Sequence, residues 1–145
     1  MTQQQDCPHC QNPAIQQKGV DHPRKIAELE VSTAFLSGRS QFYRGQTILY
    51  LRQHATELYH LDPRTRQRFM EETSQVAQAL DKTFSPLKMN YEILGNGRPH
   101  LHWWLTPRRL TDPDPKLPIW VTPTPVVQLS DDEYRQMAEE IRRNL

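Results

Sequence analysis

Leu94-Gly95-Asn96-Gly97-Arg98-Pro99-His100-Leu101-His102-Trp103-Trp104-Leu105-Thr106-Pro107-Arg108 is the stretch on which the reading of this chain turns. Two glycines, an asparagine and a proline make residues 95–99 a turn, and the apolar and aromatic residues of 101–105 predict a strand after it. Residues two apart in a strand share a face. His100, His102 and Trp104 are therefore expected on one side, with their rings toward one pocket, and Leu101 and Trp103 on the other. Met89–Leu94, on the near side of the turn, predicts an antiparallel partner strand.

Outward from this hairpin, Gln46–Arg52 carries the β-branched and aromatic residues of a buried strand, with His54 just past its end. Lys25–Val31 and Ala34–Leu36 predict two further strands, and Ser37-Gly38-Arg39-Ser40 a turn. Asp62 before Pro63 is a helix start: the carboxylate can accept an orphan amide, and proline fits a first-turn position that needs no donor. Phe69, Thr73, Val76, Leu80 and Phe84 then repeat at three- and four-residue spacing, predicting a helix to about residue 83 with one apolar face. Prolines at 113, 115, 118, 123 and 125 forbid a long helix there and predict an extended segment, anchored by Ile119-Trp120-Val121. Ser130-Asp131-Asp132-Glu133 is a capping-box start for a terminal helix over 131–144.

The 145 residues suffice for one domain with its own core. A hydrophobic fraction of 36% is low, but the apolar residues fall into periodic clusters. The net charge of +1, from 18 Lys+Arg against 17 Asp+Glu, excludes a global field that would draw the chain to nucleic acid or an anionic membrane, so phosphate recognition must be local. The start Met-Thr-Gln-Gln-Gln-Asp-Cys is neither basic nor apolar, and no run approaches the ~20 apolar residues of a membrane span. A cytoplasmic location is expected. There a disulfide between the two cysteines, Cys7 and Cys10, is disfavoured, and metal binding is the first alternative.

The 94–108 stretch resembles the signature of the histidine triad (HIT) family, in which histidines alternate with apolar residues ahead of a Pro-Arg pair. The resemblance continues upstream through Leu51–Leu58 and the following helix and covers roughly residues 7 to 109. It implies an α+β, HIT-like fold: an antiparallel sheet with one long helix across it over 1–110, and a proline-rich extension with a terminal helix over 111–145 packed on the same domain. In that family the middle histidine attacks the α-phosphorus of a nucleotide, and that role falls on His102. An imidazole bonded through one nitrogen to a backbone carbonyl keeps the other free for such an attack. Asn96 matches a polar phosphate-contacting position, and Asn90 is a weaker candidate. Arg108 is read either as a phosphate contact or as a surface ion-pair partner.

Two positions depart from the family pattern. Trp104 stands where the third histidine is expected, and Ser37 where an Asp or Asn contacts the ribose. Indole offers one N–H donor and no acid–base function, so Trp104 narrows the pocket, stacks on a base or abolishes turnover.

Cys7-Pro8-His9-Cys10 has three readings. Two thiolates at this spacing can hold zinc with two further nitrogen or sulfur ligands; the pair can be a redox motif, although no strand precedes it here; or the thiols are inert. In zinc-bearing HIT proteins, the bacterial type related to diadenosine polyphosphate hydrolases, the remaining ligands correspond to His54 and His100. The resemblance thus implies a structural Zn2+ on Cys7, Cys10, His54 and His100.

His22 and His60 have no partner at a recognisable spacing and are expected in solvent, Trp103 in the core, and Trp120 in packing or a dimer contact. The function expected is hydrolysis or nucleotidyl transfer at the α-phosphate of a purine nucleotide or dinucleoside polyphosphate, through a covalent nucleotidyl-histidine. The alternative is a HIT-like protein that binds nucleotides with little or no turnover. The resemblance also implies a homodimer, with a small-molecule nucleotide and no nucleic acid as ligand.

Overall fold

The structure is a computed structural model and describes residues 4–145; Met1 to Gln3 of the polar start lie outside the described residues. Five strands form one sheet in the order β1-β2-β3-β5-β4: β1 Lys25–Glu28, β2 Ser32–Leu36, β3 Thr47–Leu51, β4 Lys88–Glu92 and β5 His102–Arg108. Every neighbouring pair is antiparallel. Among the described residues three α-helices accompany it: α1 Pro13–Gln16, α2 Pro63–Phe84 and α3 Asp131–Arg142. This is the mixed α+β architecture expected from the alternation of strands around one long helical repeat.

Period-2 alternation sorts the sheet into two faces. Ala34, Leu36, Leu49, Leu51, Trp103 and Leu105 point into the core, against Phe69, Val76 and Leu80 of α2. Phe35, Ile48 and Trp104 align across β2, β3 and β5 on the other face, as do Thr33, Tyr50 and His102. The caps act as the sequence predicts. Asp62 Oδ1 accepts from the Thr65 amide at 3.0 Å, and Ser130 and Glu133 form a reciprocal capping box. Tyr134, Met137, Ala138 and Ile141 of α3 join the same core as α2.

Three expectations require correction. β5 begins at His102 and runs to Arg108, because His100 lies in the turn, its amide bonded to the Arg98 carbonyl at 2.8 Å, and Leu101 donates to Ala55 outside the ladder. Ile119-Trp120-Val121 does not anchor the proline-rich segment: Trp120 is 60% exposed and Val121 is exposed beside it. Polar groups hold that segment instead, through the Leu117 carbonyl on Arg108, the Gln41 amide on the Val127 carbonyl, and Gln128 on the carbonyls of Gly38 and Arg39. The terminal helix ends at Arg142, two residues short of the expected end.

Candidate active site and metal centre

The amino-terminal segment, the loop after β3 and the turn before β5 bring four ligand-type side chains together. One ligand atom each from Cys7, Cys10, His54 and His100 lie within 4.8 Å of one another. Cys7 Sγ is 3.4 Å from His100 Nδ1, Cys10 Sγ is 3.5 Å from the same nitrogen, and Cys10 Sγ is 3.3 Å from His54 Nδ1. A tetrahedral zinc site, with bonds of about 2.3 Å to sulfur and 2.0–2.1 Å to nitrogen, sets adjacent ligand atoms about 3.5 Å apart. The donor set fits such an ion. His100 Nε2 donates to the Leu51 carbonyl at 2.6 Å, which fixes the tautomer and leaves the Nδ1 lone pair for the cluster. Burial, and then the neighbouring Cys7, push the Cys10 thiol up to about 12, so ionising it here requires a cation.

His100 has therefore turned away from the pocket that alternation assigned to it. His100 is buried, its ring packed 5.5 Å from that of His54, and of the alternating positions 100, 102 and 104 only His102 and Trp104 line the cleft. The physical reason is that His100 precedes the ladder, so strand alternation does not govern its side chain.

On the sheet face away from α2, His102 and Trp104 border a cleft of about 830 Å³. Phe35, Ile48 and Tyr50 line it from the sheet, Gly95, Asn96 and Arg98 from the β4–β5 turn, and Arg24, Gly38 and Arg39 from the far rim. No Asp or Glu lines it among the described residues, whereas three arginines and three histidines do. Gly38 makes room for one of these cations, since a Cβ there would fall 2.2 Å from Arg24 Nη1. His102 Nδ1 donates to the His100 carbonyl at 2.6 Å, leaving Nε2 as the nitrogen with a free lone pair.

His9 lines the cleft near His102. Its ring is 4.6 Å from that of Tyr50, 5.4 Å from that of His100 and 6.0 Å from that of His102. Only 5% of the residue is exposed, and its Nε2 has no hydrogen-bond partner. Such an orphan costs about 1–3 kcal/mol. Burial, and then the neighbouring His100, His102 and Arg98, bring its pKa down to about 4, so the ring is neutral at pH 7.

The remaining sequence candidates divide. Asn96 lines the cleft. Asn90 and Arg108 do not: Arg108 is 2% exposed, pairs with Asp112 at 3.0 Å and donates to Asn90 Oδ1 at 2.9 Å, so each occupies the other. Arg108 is neither a phosphate contact nor a surface residue, because the 109–117 loop folds over it. Ser37 is also buried, its hydroxyl accepting from the Arg39 amide, and its neighbours Gly38 and Arg39 reach the cleft in its place. His22 is not solvated but half-buried against Phe35 at the cleft wall, whereas His60 is exposed as expected. Sequence reasoning missed His9, Arg24 and Arg39 as cleft residues. Period-2 reading of β3 could have found Ile48 and Tyr50, but no spacing signals residues delivered by loops.

The family model for the HIT domain matches residues 18–111, more than half of the chain. The chain belongs to the HIT domain family. Among solved structures, this HIT protein is similar to a histidine triad protein of Sinorhizobium meliloti, 27% identical with a TM-score of 0.75, over 83% of this chain and 88% of that one. A histidine triad protein of Marinobacter aquaeolei is 25% identical with a TM-score of 0.73, over 83% and 87%. A zinc-bound histidine triad family protein of Mycobacterium smegmatis shares the fold at 20% identity and a TM-score of 0.69, over 98% of this HIT protein and 94% of its own length. No curated protein matches the chain.

Proposed function

We propose that this HIT protein acts at the α-phosphate of a purine nucleotide or dinucleoside polyphosphate, with His102 as the nucleophile. The observation that carries the reading is the state of His102: its Nδ1 proton is held by the His100 carbonyl, and its other nitrogen belongs to a residue lining a cleft that has three arginines and no carboxylate. Attack by Nε2 forms a P–N bond as the P–O or P–N bond to the leaving group breaks; water or another acceptor then displaces the nucleotidyl group from the histidine. Positive charge from Arg98 is suited to the charge that accumulates on the phosphoryl oxygens, and Asn96 adds a polar contact. Phe35, Ile48 and Tyr50 offer a flat, partly apolar floor for a nucleoside.

Cys7, Cys10, His54 and His100 are the residues that would hold zinc, and the ion would tie the amino terminus to the start of β5 and contribute folding energy. Zinc stoichiometry in wild type and Cys7→Ser tests this: about one ion per chain is expected in the first and loss in the second, and a metal-free, fully folded wild type would refute it.

A second reading is supported by Trp104, whose indole cannot move a proton as a third histidine could: a protein that binds nucleotides without turnover. Incubation with adenosine 5′-phosphoramidate or a diadenosine polyphosphate, followed by intact mass, separates the two. An adenylyl adduct absent from His102→Ala supports the enzyme. Nucleotide binding with neither adduct nor product leaves the binding protein.

A further inference from the structure

From the position of His9 we infer that the loop between the two cysteines supplies the third ligand-facing histidine of this cleft, with the His9 ring donating a hydrogen bond to the phosphate held at His102. This rests on the nucleotide reading above and names a contact within the same site.

Two observations converge on it. The first is placement: the His9 ring lies 6.0 Å from that of His102 and the Trp104 ring 6.4 Å from it, so His9 is as near the nucleophile as the residue at the third motif position. Position 104 can offer only a single indole N–H. The second is the unspent nitrogen: His9 is 5% exposed and lines the cleft, and its Nε2 is buried with no partner, so donating to a phosphate requires the ring to turn toward the cleft. Zinc does not account for it, since the four-atom cluster is complete without His9.

The loop is held for this task by its neighbours. Cys7 and Cys10 on either side reach His100, the Cys10 amide bonds the Cys7 carbonyl at 3.0 Å, and the His9 carbonyl accepts from Gln16 Nε2 at 3.2 Å. His9 is thus fixed relative to His100, and through it to His102, although more than ninety residues separate them in sequence.

The test compares AMP with adenosine, which lacks the phosphate, by calorimetric titration of zinc-loaded protein. His9→Phe keeps an aromatic ring against Tyr50 and removes both nitrogens; His9→Gln puts an amide nitrogen near the position of Nε2. The inference expects H9F to weaken AMP by about tenfold or more with adenosine unchanged, and H9Q to bind AMP within about threefold of wild type. AMP affinity in H9F equal to wild type overturns it, and so does an equal loss for AMP and adenosine, which would mark His9 as packing. Should H9F fail to load zinc, His9→Asn replaces it, its amide too short to reach the Nε2 position. Wild type that binds neither AMP nor adenosine overturns the nucleotide reading itself, whereas unaltered H9F overturns only the role of His9.

Discussion

Arg108 spends its guanidinium on Asp112, Asn90 and two loop carbonyls while only 2% exposed, so it is a residue of stability and not of ligand binding. Removing it strands the Asp112 carboxylate, itself 8% exposed, without its cation. Arg108→Met should cost about 3–5 kcal/mol in urea unfolding. AMP affinity should stay unchanged in the part of the population that remains folded. Gly38 is the converse case, small for the sake of a neighbour. Gly38→Ala pushes the flexible end of Arg24 aside, which costs little stability but withdraws a cation from the far rim of the cleft. Thermal unfolding within about 2 °C of wild type, together with weaker binding of anionic ligands, is the expected outcome.

Among the elements, α2 carries the longest run of information in local sequence: cap, proline and apolar face were all legible, because each acts within four residues of itself. Asp62→Ala should lose about 1 kcal/mol. The same helix also holds Glu72, fully buried, which accepts from the Val31 amide at 3.0 Å and from the Ser32 hydroxyl and pairs with Arg68. It fastens the β1–β2 turn to the helix, and nothing in its own neighbourhood announces this. Glu72→Ala leaves a buried amide and hydroxyl unpaired and should cost more than the cap, by about 1–3 kcal/mol; chemical denaturation of the two variants side by side measures the order. The motif strand was legible in type but not in start. The pull of the thiol cluster and of the Leu51 carbonyl on His100 delays the ladder to His102, and these are contacts with residues far along the chain.

On the scale of the molecule, the sheet has two edges of different character. Arg142 of α3 donates to the Ile26 and Lys25 carbonyls and so closes the β1 side, while β4 is open and carries exposed Leu87, Tyr91 and Leu94 in or beside it. The pH response also belongs to the whole molecule. Burial, then Arg24 and Lys25, lower the His22 pKa, so the unfolded chain takes up a proton there before the folded one does. Its contribution is present above the ordinary histidine value of 6.5 and is lost as pH falls below it toward the lowered folded value. His22→Asn should therefore flatten the acid side of the stability profile. The sequence by itself determined the strand and helix types, the motif around His102, the cysteine pair and the family, because periodicity, caps and short motifs act between near neighbours. Only the tertiary structure decided that His100 leaves the cleft, that Arg108 and Asn90 are spent on each other, and that His9, Arg24 and Arg39 enter. Those outcomes depend on loops meeting across the sheet, where burial and hydrogen-bond satisfaction choose among partners that no local pattern encodes.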